Sequence, residues 1–288
     1  MVAPPPIKMT RRERYGSLGR CIYCAVESVP LTDEHIVPES LGGDLIIEKA
    51  TCEECQAQTH AFEGHACDVY RAIRRQLNFP SKTKGKKAAL RSKSERFILD
   101  VDGRRVKVSA EEFPALLTSL AFPLPTVLFN LAPDGDLPLT GGVHSIELMP
   151  QFGERLNEIK RKYRANSVSI VGVDKAHRMD AGDFGRMLAK IGHSYTVAQL
   201  GLDGFKPVLT NIIRGQRPFF LTHYIGSQVI TTEQGTDLHE VSFDKTGLAA
   251  GVFVVVRVRL FATYNTPAHL VVVGTRSAGT EIKQTVTP

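Results

Sequence analysis

Two cysteine pairs, Cys21-x-x-Cys24 and Cys52-x-x-Cys55, separated by 27 residues, constrain this chain more than any other feature. A C-x-x-C turn directs two thiolates at one tetrahedral ion, and two such turns complete a four-sulfur zinc site with no open position. The ion expected there is structural. Disulfides are a poor alternative, because the start from Met1 to Pro6 turns basic without the apolar run of a secretory signal. A redox C-x-x-C would stand alone in a βαβ pattern. The fifth cysteine, Cys67, falls on an apolar helical face and reads as a small core residue.

Charge sharpens this reading. The formal net charge of +6 is strongly segregated along the 288 residues. Residues 1–20 carry +4, residues 21–70 carry −9 and residues 71–110 carry +10. A compact unit of fifty residues with nine uncompensated negative charges repels itself unless cations sit within it. The acidic segment also holds all five cysteines and three of the nine histidines, so bound metal is the expected source of compensation. The longest apolar stretch, Leu248 to Val256, is far short of the roughly 20 residues a membrane span needs. A soluble, cytoplasmic protein without a membrane partner is the expectation.

Between the pairs, Leu31 to Pro38 reads as a short strand, Leu41-Gly42-Gly43 as a turn, and Asp44 to Glu48 as a returning strand. Thr51-Cys52-Glu53-Glu54 fits a capping box, placing a helix start near Cys52. The helix continues through Phe62, Ala66, Val69, Tyr70, Ile73 and Leu77 at intervals of mostly three to four.

The order C-x-x-C, Glu34-His35-Ile36-Val37-Pro38, Leu41-Gly42-Gly43, then C-x-x-C on a helix resembles the HNH endonucleases of the ββα-metal fold. The resemblance covers about residues 21–77. It implies that His35 is the general base that deprotonates water for attack on a phosphodiester, and that Glu34 binds a catalytic divalent ion, Mg2+ or Mn2+. Adjacent strand residues point to opposite faces, so Glu34 and His35 can share a site only at an irregular strand end or bulge. The chain departs from the family pattern by having no asparagine before Asn78; the slot after the second knuckle is Gln56. The second metal ligand must then come from the helix. His60 and Glu63 are the candidates, the first suited to a softer ion and the second to Mg2+, with Gln56 behind them. If none ligates, the module binds nucleic acid without cutting it.

Arg71, Arg74 and Arg75 end the helix, and Lys82, Lys84, Lys86 and Lys87 follow. A phosphate backbone, DNA first, is the natural partner for so dense a positive run. Asp102-Gly103 between two alternating apolar runs marks a β-hairpin. The expected organisation is a basic arm (1–20), an HNH-like unit (21–80), a basic segment with hairpin (81–110), a proline-rich connector (111–150) and an α+β domain of unknown role (151–288). The fold class is α+β with antiparallel sheet. In the connector, a short helix is expected near Glu112 to Ala121. In the last part, helices are expected at Gln151 to Arg164 and after Asp180 or Asp183, and strands at Phe219 to Ile225, Leu238 to Phe243, Val252 to Ala262 and Leu270 to Gly274. Arg257 and Arg259 alternate with valines there, as on a half-exposed strand. His193, beside Lys190, reads as a packing or helix-surface residue. No repeat, P-loop, dinucleotide fingerprint or hydrolase elbow is present. A defence or interaction subunit acting through residues 151–288 is a third reading.

Overall fold

The computed structural model describes residues 13–70, 73–74, 96–109, 117–132, 144–148, 152–174, 179–216, 220–228, 235–244 and 252–276. No helix among them is long and apolar enough to cross a membrane. The chain is α+β with antiparallel sheets and opens with a β-β-α segment. Strands β1 (Glu13–Tyr15), β2 (Leu31–His35) and β3 (Leu45–Cys52) form one sheet in the order β1-β3-β2. β2 and β3 are antiparallel, whereas β1 runs parallel to β3. The pairing of β2 with β3 slips between Thr32 and Glu34, the irregularity that a shared Glu34–His35 site requires.

Helix α1 (Glu53–Asp68) follows β3 directly. The capping box does not form. Cys52 is the N-cap, no side chain caps the helix, and Thr51 is still in the strand. The buried Thr51 hydroxyl donates instead to Glu34 Oε2 at 2.8 Å. Glu53 and Glu54 remain in the first turn, where the helix dipole favours them.

The hairpin forms as expected from β4 (Arg96–Val101) and β5 (Arg104–Ser109). Asp102 and Gly103 both take positive φ, 47° and 80°, as a two-residue primed turn needs. The segment Leu117–Ala121, expected as part of a helix, is a strand, β6, because β7 (His144–Leu148) gives it an antiparallel ladder. Helix α2 (Phe152–Tyr163) and strand β8 (Val168–Asp174) follow, and β8 pairs with the free edge of β4. Ile159 of α2 is buried with Phe97, Leu99, Val101 and Val108 in a separate small core.

Helix α3 (Ala181–Leu200) is the centre of the molecule. Asp180 caps it by accepting from the Asp183 N–H at 2.8 Å, and Gly201, at φ 72°, follows its last residue. After it come β9 (Phe205–Pro207), α4 (Thr210–Ile213), α5 (Leu221–Tyr224), β10 (Ile225–Ser227), β11 (His239–Phe243), β12 (Phe253–Leu260) and β13 (His269–Arg276). Their sheet runs β10-β13-β12-β11, with β9 also on β13. The strand expected from Phe219 to Ile225 is instead the single turn α5 followed by β10. Arg259 is buried rather than half-exposed: its Nε donates to the Thr266 carbonyl at 2.8 Å and a guanidinium nitrogen lies 3.7 Å from Glu240.

α3 packs against both α1 and strands β12 and β13, so it is buried around nearly its whole circumference from Phe184 to Val197. One buried cluster accordingly runs from Cys21 to Val273. Gly192 permits the close approach of α3 to the sheet, since a Cβ there would stand 2.8 Å from Val271 Cγ1 and 3.1 Å from Val273 Cγ1. Gly192→Ala is therefore expected to cost about 1–3 kcal/mol by overpacking, read from the urea midpoint. An unchanged midpoint would show that the helix can lift off the sheet without cost.

Candidate functional site

The first knuckle turns back on itself through the Ala25 N–H to Cys21 carbonyl bond, with Ala25 at φ 59°. The second lies where β3 becomes α1, so the strand end and the first helical turn present Cys52 and Cys55 together. All four sulfurs of Cys21, Cys24, Cys52 and Cys55 lie within 4.8 Å of one another. The Cys24 and Cys52 sulfurs are 3.7 Å apart, close to the roughly 3.8 Å that a tetrahedral ion with bonds of about 2.3 Å imposes. Burial and the neighbouring sulfurs push the Cys55 thiol far above its usual pKa. At Cys21, burial is outweighed by the N–H groups of Cys52, Tyr23 and Cys24, which lower it. Ionised together, four sulfurs so packed would need a cation, and the geometry fits zinc. Cys67 is buried beside Met187 and its thiol is pushed up to about 12 by burial, as a core residue should be.

A cleft of about 550 Å3 opens beside this cluster, between the end of β2 and the first turns of α1. Glu34, His35, Glu39, Gln56, Thr59, His60, Glu63 and Lys190 are among its walls. His35, at the last position of β2, is about a quarter exposed. Its Nδ1 lies 3.3 Å from the Gly43 carbonyl. A carbonyl can only accept, so this contact fixes the tautomer with Nδ1 protonated and leaves the lone pair on Nε2, 4.0 Å from Glu39 Oε2. An imidazole so held can take a proton from water in the cleft.

The two glutamates are placed differently. Glu34 is buried, and the slip in β2 turns it inward. Glu63 reaches the same point from α1. Between them lies the ammonium of Lys190, on α3, at 2.5 Å from Glu34 Oε1 and 2.9 Å from Glu63 Oε1. The same nitrogen donates to the carbonyl of His35 and, at 3.4 Å, to that of Ile36. Burial opposes the lysine's charge, but the two carboxylates outweigh it and hold its pKa above the usual lysine value. Burial raises the Glu63 pKa, aided by Glu34 and opposed by Lys190.

Of the residues expected to act in catalysis, Glu34, His35, His60 and Glu63 line one cleft, but with unequal freedom. His60 is exposed on the cleft wall, next to Gln56. Glu34 and Glu63 do not fit a shared divalent site as they stand, because a lysine ammonium already lies between them. Among the described residues, the four cysteines are the one cluster of three or more such donors close enough to hold a metal. Part of the acidic surplus is matched by side chains: Arg14 bonds Asp33 at 2.6 Å and Glu48 at 2.7 Å. Of the expected nucleic-acid contacts, Arg71, Arg75, Lys82, Lys84, Lys86 and Lys87 lie outside the described residues, and Arg74 is half-buried.

Sequence reasoning missed Lys190, and with it the grip of α3 on the hairpin. His193 Nε2 donates to the Ile22 carbonyl inside the first knuckle at 2.8 Å, and Ser194 Oγ meets the Tyr23 hydroxyl at 2.9 Å. From the sheet, His239 Nε2 donates to the Leu41 carbonyl at 2.8 Å. The signal was present: a helix apolar on nearly every side is a buried helix, and a lysine in its middle needs acidic partners.

Residues 21–67 match the family model of the HNH endonucleases. No curated protein and no solved structure matches the chain.

Proposed function

We propose that this chain is an HNH-type endonuclease that hydrolyses phosphodiester bonds in nucleic acid, DNA being the first substrate to test, with His35 as the general base. The observation that carries the reading is the setting of His35: a partly exposed imidazole at a strand end, oriented by the Gly43 carbonyl, in the wall of a cleft that the matched residues line together with Lys190. In this reading Zn2+ on Cys21, Cys24, Cys52 and Cys55 holds the β-β-α segment together. His35 Nε2 accepts the proton of the attacking water. The basic segment containing Lys82, Lys84, Lys86 and Lys87 attracts the phosphate backbone. Dependence on Mg2+ or Mn2+ is what the family match implies. Glu34, His60 and Glu63 were the expected ligands, and Lys190 now competes for two of them.

The test is cleavage of supercoiled plasmid, single-stranded DNA and RNA by zinc-loaded protein, with and without Mg2+ or Mn2+. His35→Ala is expected to lower the rate by about 10²–10⁴-fold. Cleavage that survives in this variant would assign the activity to a contaminant or another residue. A second reading, nucleic-acid binding without hydrolysis, is favoured by the lysine ammonium lying between Glu34 and Glu63. It predicts salt-sensitive binding with no metal-dependent cleavage of any of the three substrates.

A further inference from the structure

We propose that Lys190 takes the cation seat between Glu34 and Glu63, and that from it this residue positions His35 for the reaction proposed above. The positioning half of this inference rests on the hydrolase reading; the seat itself does not.

The Lys190 side chain is 1% exposed and Glu34 is 7% exposed, so neither charge can be balanced by water. An ammonium has three protons and is a compact point charge. Here four acceptors surround it: a carboxylate oxygen from β2, one from α1, and the carbonyls of His35 and Ile36. Hydrogen-bonded to two carbonyls and ion-paired to two carboxylates, Lys190 is engaged with the protein rather than offered to substrate. What it fixes is backbone. The carbonyls of His35 and Ile36 are where β2 ends, so their anchoring sets the plane from which the His35 side chain departs. Glu34, held by Lys190 on one oxygen and by Thr51 on the other, ties that strand end to β3. Glu63 ties it to α1. Two elements that wall the cleft, β2 and α1, thus meet on a nitrogen supplied from α3, more than a hundred residues further along the chain, and β3 is joined to them through Glu34. The acidic pair resembles a metal seat in its chemistry, but a divalent ion placed there would face a buried positive charge.

The seat is tested by titrating Mn2+ into zinc-loaded, full-length protein and following the free ion by its paramagnetic resonance signal. Wild type and Glu63→Gln should bind Mn2+ with affinities within about twofold of each other. Lys190→Met should gain one Mn2+ site at least about 10-fold tighter, and Lys190→Met combined with Glu63→Gln should lose it. A wild-type affinity that drops about 10-fold or more on Glu63→Gln would overturn the proposal, because the pair would then accept a divalent ion with the lysine in place. Lys190→Met leaves two buried carboxylates facing each other; if it does not fold, the comparison of wild type with Glu63→Gln still decides.

Positioning is tested with the neutral triple variant Lys190→Met, Glu34→Gln, Glu63→Gln, which removes all three charges together. On cleavage that depends on His35, kcat should fall about 10–100-fold with KM within about twofold of wild type. An unchanged kcat in a folded triple variant sinks the positioning role. If wild type cleaves nothing, the hydrolase reading and the positioning role fall together, while the Mn2+ titration still decides the seat.

Discussion

Stripping zinc from the reduced protein is expected to unfold residues 21–67 and to loosen the core they share with α3. The reason is the balance of magnitudes. A structural four-sulfur zinc site contributes about 10–16 kcal/mol of apparent binding free energy near neutral pH, and that is folding free energy where no preformed site exists. The net stability of a whole domain is about 5–15 kcal/mol. The β-β-α segment contributes apolar side chains to the shared core, but without the ion four sulfurs would be left packed against one another within it. Its helix has no side-chain cap, and three of the four cysteines are buried. The damage should spread, because α3 bonds the knuckle at Ile22 and Tyr23 and the same buried cluster continues to Val273. The measurement is thermal melting by far-UV circular dichroism, before and after chelation, with zinc counted by a chromogenic chelator. One zinc per chain is expected in wild type and in Cys67→Ala, and less than one in Cys52→Ser. A protein shown to be free of zinc that melts within a few degrees of the loaded form would refute the structural role.

The four-cysteine cluster was legible because its signal is local: two short turns whose spacing fixes ligand geometry whatever surrounds them. The hairpin at Asp102-Gly103 was legible for the same reason, since two positive φ angles are a demand on two neighbouring residues. Asp180 as the cap of α3 belongs here too. The misreadings share a cause in distant partners. Thr51 spells a capping box with Glu54, yet its hydroxyl goes to Glu34, a residue on the paired strand. Leu117–Ala121 is a strand because His144–Leu148 lies beside it. Arg259 alternates with valines as an exposed residue would, yet the Thr266 carbonyl and Glu240 allow it to be buried. The site divides along the same line. His35 stood out by its local motif, whereas Lys190 acquires meaning only when α3 is laid across the end of β2.

Acid should destabilise this protein well above the pH at which carboxylates titrate. Three histidines, His193, His239 and His269, are buried, and burial pushes them down to about 4, about 4 and about 3. Their bonding gives the neutral form a definite shape. His239 donates from Nε2 to the Leu41 carbonyl and accepts the Phe261 N–H on Nδ1 at 3.1 Å, so a second proton has no place. At His269, Nδ1 lies 3.0 Å from Ser227 Oγ, which also accepts the Phe122 N–H. At His193, Nδ1 is buried without a hydrogen-bond partner. The folded-state pKa of each is below the unfolded value of about 6.5, so the unfolded chain binds more protons and stability falls as pH falls. The effect is absent above about pH 6.5 and develops between there and about pH 4. At pH 5 each histidine contributes a loss of about 2 kcal/mol, and three of them about 6 kcal/mol, comparable with the whole stability of a domain. Zinc release also consumes protons on acidification, so the total slope mixes two processes. A single-residue difference separates them. His269→Asn keeps the zinc ligands intact, so between pH 6 and 5 its urea-derived stability should fall less steeply than that of wild type, by about 1.4 kcal/mol per pH unit at most. Parallel slopes in the two proteins, at equal zinc content, would mean that His269 is already protonated in the folded chain.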